Sequence, residues 1–396
     1  MSIPQAIEGA NVLLPGGRLD SVTVCWADGQ IASVGQDSVG DAIDGSGYYL
    51  SPGFVDIHLN GGGGASFESE SPDDFRTILE TGLRYGTTSV VAAINTATAA
   101  DRIRQLEALD AYANGDGAGR LLGVHLEGPY YSPDQRGAHH PDWIRHPDPA
   151  EYDVWLERFS QTIKVVTLAP ELPGSLALIE RLSEAGIVPS IGHSMATDTQ
   201  VDAAIEAGAK MVTHIYNAQS SYTRSDDGKH LGVAEMGLLR DALTVEMIPD
   251  NRHLTPRMQA LVVKTKPSHL ICVTTDAMEA TGQGPGEYEV MGGKVWVDDE
   301  VAYREDRKRH AGSILTMDRG VRNVVSAGAS VAEALMMATE VPARAIGVSG
   351  QKGTIEVGGD VDFVLLDPDL QVAATVSRGD VVYAAEGSPF EKSQVQ

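Results

Sequence analysis

The chain has 396 residues, too many for one ordinary core but the right size for one large barrel with a small accessory unit. Its formal net charge of -25, from 30 basic and 55 acidic residues, makes a field that repels nucleic acid and anionic membrane, so neither is an expected partner. The two cysteines, Cys25 and Cys272, lie in separate apolar segments and form no metal-type pair, which suits a reducing compartment.

The N-terminus reads Met-Ser-Ile-Pro-Gln-Ala-Ile-Glu, without a basic region or an apolar signal core, and no uncharged run is long enough to span a bilayer. A cytoplasmic protein is expected. The first fifty residues are short β-patterned pieces broken by Gly, Asp and Asn: Ile7 to Leu14, Ser21 to Trp26 and Gln30 to Val34. The last forty-five behave alike, with Val361 to Leu366, Val372 to Val376 and Val381 to Ala384, so the two ends are expected to build one β-sandwich.

Between them the rhythm changes to eight apolar strands: Phe54 to Ile57, Ser89 to Ile94, Leu121 to Leu126, Ile163 to Leu168, Ile187 to Ile191, Met211 to Ile215, Leu243 to Ile248 and Leu270 to Thr274. Helix-length spacers separate them. The clearest are Asp73 to Tyr85, Asp101 to Ala113, Ser175 to Ala185 and Asp198 to Ala207, with apolar residues at three and four and Gly after the end; two more helices are expected at Thr316 to Ala327 and Val331 to Ile346. This alternation predicts an α/β fold, a (β/α)8 TIM-type barrel over 53–347, with the β-sandwich made from 1–52 plus 348–396.

In such a barrel reactive residues gather where strands end. Leu121 to Pro129 is an apolar run that delivers His125 and Glu127; Ile187 to Ser194 delivers His193, and Met211 to Ala218 delivers His214. Any one of these histidines alone reads as a core residue. Together, Glu127, His193 and His214 supply one oxygen and two nitrogens, the three-ligand set of a catalytic zinc with a fourth position left for water. The first strand adds His58 and Asn60, which point the same way. With Asn60 in the second place a further metal position there is short of a ligand, and Asn60 reads equally well as a turn residue before Gly61 to Gly64. About one divalent ion per chain is expected, zinc before others. Lys164 begins its strand, at the wrong end for a bridging carbamylated lysine.

The last strand closes on Val273-Thr-Thr-Asp-Ala-Met278, placing Asp276 at the same mouth, where it can take a proton from water and return it to a leaving amine. A helix cap or turn aspartate is the plainer alternative. His253, after the seventh strand, could hold substrate.

These residues carry a resemblance. Ser-Pro-Gly-Phe-Val-Asp-Ile-His-Leu-Asn-Gly at 51 to 61, His-Leu-Glu-Gly-Pro at 125 to 129, Arg-Gly-Ala-His at 136 to 139, Gly-His-Ser at 192 to 194, Thr-His-Ile-Tyr-Asn-Ala at 213 to 218, Thr-Asp-Ala-Met at 275 to 278 and Ala-Gly-Ser-Ile-Leu-Thr-Met at 311 to 317 resemble the N-acetylglucosamine-6-phosphate deacetylase family of the amidohydrolase superfamily. So does Ala338 to Gly347. The resemblance implies the barrel and sandwich, a metal on Glu127, His193 and His214, Asp276 as acid/base, and a dimer. It also implies that Ala138, His139, Asn217, Ala218, His253, His310, Ala311 and Gly312 contact an amino-sugar phosphate, and that Arg224 reaches the phosphate.

The chain departs from the family pattern around that phosphate. It reads Arg224-Ser-Asp-Asp-Gly228 where the family usually has Arg-Glu-Pro-Gly, Gln219 replaces a methionine, Asn251-Arg252 interrupts the usual Asp-Gly-x-His, and Arg304 to His310 is unusually basic. Two carboxylates beside Arg224 oppose a dianion unless Lys229 or His230 offsets them. The expected reaction is therefore metal-dependent hydrolysis of an acetamido group, that of N-acetylglucosamine-6-phosphate. Its rivals are another N-acyl substrate, such as an unphosphorylated or isomeric sugar or a cyclic amide, and, more remotely, a non-catalytic assembly protein.

Overall fold

The computed structural model describes residues 5–35, 42–226, 228–290, 293–298, 301–304 and 310–391. Its centre is a parallel sheet of eight strands: β1 (Phe54–Leu59), β2 (Thr87–Ile94), β3 (Leu121–Glu127), β4 (Ile163–Leu168), β5 (Val188–Ile191), β6 (Met211–Val212), β7 (Thr244–Met247) and β8 (Ile271–Val273), hydrogen-bonded in that order. The ring closes where the Asp276 amide donates to His58 O at 2.8 Å and the Asn60 amide donates to Ala277 O at 2.9 Å. Every residue of β2 is buried, as expected of a β-branched strand covered on both faces.

Helices alternate with the strands: α1 (Pro72–Leu83), α2 (Ala99–Ala113), α3 (Pro149–Phe159), α4 (Ser175–Glu184), α5 (Asp198–Ala207), α6 (Val233–Leu239), α7 (Pro256–Thr265) and α8 (Met317–Ser326). In α1, Ser71 caps the Asp74 amide, Pro72 opens the helix, and Phe75, Ile78, Leu79 and Leu83 turn one apolar stripe onto the barrel. A Thr197–Gln200 capping box starts α5, and Gly208, at φ 117, ends it.

The helix expected over Val331 to Ile346 is two helices, α9 (Val331–Met337) and α10 (Glu340–Ala345). Pro342 has no amide to give to Ala338 O, and that carbonyl instead accepts from the Val55 amide of β1 at 2.9 Å. The sixth strand is also shorter than Met211 to Ile215, because the chain turns at His214 into a left-handed conformation, φ 27.

The termini do form a sandwich. One sheet orders Gln30–Gly35, Thr23–Ala27, Gln5–Glu8 and Ile43–Asp44; the other runs Asp380–Ala384, Val372–Ser377, Phe363–Leu366, Tyr49–Pro52, Asn11–Leu14 and Arg18–Ser21. Ile7, Val12, Val24, Trp26, Leu50, Phe363 and Val376 share the core between them. Ile7 to Leu14, expected as one strand, is divided between the two sheets by a turn at Gly9, whose φ of 79 suits glycine. Two further features escaped the sequence pattern: a hairpin, Thr223–Ser225 with Gly228–His230, and a four-stranded antiparallel sheet, Gly286–Val290, Gly293–Val297, Ala302–Arg304 and His310–Gly312. Residues 305–309 of the basic run, and Asp227, lie outside the described residues. No helix among the described residues is long and apolar enough to cross a membrane.

Candidate active site

Glu127 ends β3, and the bends that follow β5 and β6 carry His193 and His214 toward it. His193 Nε2 and His214 Nε2 lie 3.0 and 3.1 Å from the same oxygen, Glu127 Oε1, and 3.2 Å from each other. The expected trio is thus brought together. His193 Nδ1 donates to Gln135 O at 2.8 Å, so its Nε2 is the bare nitrogen. Burial pushes the pKa of His193 down to about 4, so at neutral pH no proton separates that lone pair from the carboxylate. Burial works against ionising Glu127, but His139 and His58 outweigh it and hold its carboxyl well below the usual range. A bare imidazole nitrogen against an ionised carboxylate oxygen is a site that wants a cation.

The second flank belongs to His58, which is fully buried. Its Nε2 has no hydrogen-bond partner and faces Glu127 Oε2 at 3.5 Å and Asp276 Oδ1 at 3.4 Å. Burial opposes a charge on His58, yet Asp276, Glu127 and Glu246 outweigh burial and raise its pKa well above the ordinary value. Asn60 Nδ2 donates to Asp276 Oδ1 at 2.7 Å, which leaves Asn60 Oδ1 buried and without a hydrogen-bond partner. Asp276 stands at φ 47, its pKa raised chiefly by burial. His193, His214 and Asp276 all adopt left-handed backbone, a cost of order 1–3 kcal/mol each that is typically stored at functional sites.

Among the described residues, His58 with Glu127 and Asp276, Glu127 with His139 and His193, and His58 with His125 and Glu246 each offer atoms within 4.8 Å of one another. His139, expected at the substrate, lies 3.7 Å from Glu127 Oε1 through Nε2, with Tyr131 edge-on to it and stacked flat on His193 at 4.1 Å. Gly137 makes that packing fit: a Cβ there would sit 3.2 Å from the His193 ring, at φ 60. Exposed Ala138 lies in the same loop.

The other expected substrate contacts are less concentrated. His253 Nδ1 donates to Asp250 Oδ2 at 2.6 Å, and burial, which lowers the pKa of His253, is outweighed by Asp250. Asn217 turns its amide back to His214 O and Ile215 O, at 3.1 and 3.3 Å, and Ala218, at φ 48, gives its carbonyl to the Ser194 amide. Gln219 bridges Thr213 O and the Tyr216 amide, clamping the loop that carries His214. Arg224 is exposed on the rim hairpin, opposite Lys229 in register. Gly312 is half-buried on its strand; the side chains of His310 and Ala311 lie outside the described set. Lys164 donates to Gln161 O, away from the mouth, as expected.

Two buried groups, Asp56 and Glu246, were not singled out in the sequence, and His125, seen at the end of its strand, was given no role. Asp56 accepts from Thr274 Oγ1 at 2.7 Å and Thr275 Oγ1 at 2.5 Å, fixing β8 against β1. His125 packs on His58 and joins a hydroxyl chain through Thr167, Thr213 and Ser190, with links of 2.6, 2.7 and 2.6 Å. Glu246, from β7, accepts from His58 Nδ1 at 3.0 Å. A charged residue in the middle of an apolar strand was the available signal for Asp56 and Glu246.

Residues 49–382 match the amidohydrolase family model. The chain is 33% identical to the N-acetylglucosamine-6-phosphate deacetylase of Lysinibacillus sphaericus, over 95% of this chain and 97% of the relative, and 32% identical to that of Homo sapiens, over 94% and 91%. A mutant N-acetyl-D-glucosamine-6-phosphate deacetylase from Mycobacterium smegmatis, solved in complex with N-acetyl-D-glucosamine-6-phosphate, superposes with a TM-score of 0.88 at 32% identity, covering 97% of this chain and all of that one. The chain belongs to the amidohydrolase family, and within it to the N-acetylglucosamine-6-phosphate deacetylases.

Proposed function

We propose that the chain hydrolyses the acetamido group of N-acetylglucosamine-6-phosphate, giving glucosamine-6-phosphate and acetate. The observation that carries this reading is the convergence of Glu127, His193 and His214 on one point, with Asp276 at the same mouth, in a chain that belongs to the deacetylases. Glu127, His193 and His214 would hold one divalent ion, zinc before others; His58 and Asn60 flank a second, poorer position. When bound, such an ion polarises the amide carbonyl and acidifies water.

Asp276 accepts a proton from the attacking water as the oxygen–carbon bond forms, and gives it to the amide nitrogen as the carbon–nitrogen bond breaks. Asn60 holds the Asp276 carboxylate at 2.7 Å, so the base keeps its aim during both transfers. His253, oriented by Asp250, and His139 would place the sugar or steady the carbonyl oxygen, with Ala138, Asn217, Ala218, His310, Ala311 and Gly312 lining its path. Arg224 would meet the phosphate. The protein is read as a cytoplasmic homodimer that binds neither nucleic acid nor membrane.

A second reading, an unphosphorylated or isomeric N-acyl substrate, is favoured by Asp226 at the turn beside Arg224. Acetate release from N-acetylglucosamine, its 6-phosphate and the galacto and manno isomers, with and without a chelator, separates the two. The 6-phosphate is expected to be the best substrate and the chelator to abolish turnover. No acetate from any N-acetylhexosamine would overturn both readings.

A further inference from the structure

We infer that Glu246 is a positioning residue that couples the two flanks of the site, fixing the His58 ring and the His214 main chain through one carboxylate oxygen. The inference rests on the proposed ion site. Glu246 comes from the middle of β7 and is wholly buried. Its Oε2 accepts from His58 Nδ1 at 3.0 Å and from the His214 amide at 3.2 Å. An acceptor-only carboxylate keeps a proton on His58 Nδ1 whether the ring is charged or neutral, so in the neutral ring that an ion needs, Nε2 is the nitrogen left bare. Nε2 is the atom that lacks a partner and faces Glu127 and Asp276. The second bond holds the backbone of His214 in its left-handed turn, φ 27, from which Nε2 reaches Glu127.

Burying an ionised carboxylate to make two hydrogen bonds is costly, and the other oxygen, Oε1, has no hydrogen-bond partner. Stability alone would favour an apolar residue at the centre of a barrel strand. What the carboxylate adds is orientation: an acceptor behind a ligating histidine fixes its tautomer and ring plane and raises its basicity, and losing such a partner lowers ion affinity by roughly 10- to 100-fold. Glu246 does this for His58 through the ring and, for His214, holds the main chain in place, from a strand that contributes no ligand of its own.

The test is Glu246→Gln, which keeps the shape and removes the charge, with Zn2+ affinity measured by competition against a chromogenic chelator. The expected result is a dissociation constant raised tenfold or more in a variant whose circular dichroism matches wild type. An unchanged constant, in a wild type that binds Zn2+, would overturn the inference and leave the site reading intact. A wild type that binds no Zn2+ would overturn both. If the variant does not fold, imidazole 15N shifts of the Zn2+-loaded wild type decide, with His58 assigned through a His58→Asn variant. Protonated Nδ1 is the expected tautomer, and protonated Nε2 overturns the assignment.

Discussion

The strand-end cluster and the rim hairpin are built in opposite ways. Glu127, His193, His214 and His58 are all at most 4% exposed, and each is held by a neighbour that leaves it little freedom: Gln135 behind His193, Glu246 behind His58 and His214. Arg224 stands exposed on a three-residue strand whose cross-strand neighbour, Lys229, carries the same charge. Like charges in register destabilise a hairpin by a few tenths of a kcal/mol or more unless an anion lies between them. The cluster is preorganised for chemistry. The hairpin's paired cations gain from something negative beside them, so reaction type rests on buried parts and substrate identity on exposed ones.

That contrast breaks most sharply at the cluster. His193→Ala removes one of the proposed nitrogens, and kcat/KM is expected to fall by about a thousandfold or more, equivalent to several kcal/mol of transition-state stabilisation, together with loss of the bound ion in elemental analysis. A variant that keeps both ion and turnover would place the chemistry elsewhere.

Asp276→Asn sharpens it, because size is preserved while the base is lost. We expect kcat to drop by about a hundredfold or more with ion content unchanged at about one per chain. Near-normal turnover would require another proton carrier, and two tightly held ions would show that Asn60 does not impoverish the second position.

The smallest effect belongs to the rim. Arg224→Ala is expected to raise KM for the 6-phosphate about tenfold, the loss of one charge-assisted pair, with a smaller change in kcat and almost none for the unphosphorylated sugar. Should wild type handle both sugars equally and the variant change neither, Arg224 would be a surface residue and the phosphate would fall out of the reading.

The same contrast governs what could be read in the sequence. Period and punctuation place all eight barrel strands, and the ends of β3, β5, β6 and β8 name Glu127, His193, His214 and Asp276, because a polar residue after an apolar run has one direction to point. Asp56 and Glu246 lie inside such runs, where their pairing with Thr274, Thr275, His58 and His214 is set by neighbours far along the chain. The split at Ala338 escaped for a related reason: Pro342 allows a helix start, and only the bond from Val55 shows that a second helix begins there. The hairpin and the sheet around Gly286–Val290 are short and rich in glycine and charge, so period carries little signal.

The division of the sandwich between the two ends of the chain has a consequence for the order of assembly. Each barrel strand pairs with the next one to be synthesised, but Tyr49–Pro52 must wait for Phe363–Leu366 before it has its antiparallel neighbour. Pairing across so long a loop carries a large closure entropy and belongs to the slow end of folding. During translation the strand Asn11–Leu14 and its neighbour Tyr49–Pro52 present an open edge for as long as it takes a ribosome to read the whole barrel. At 5–20 residues per second this is roughly a quarter of a minute to a minute, and aggregation of this chain is therefore expected to begin at that edge.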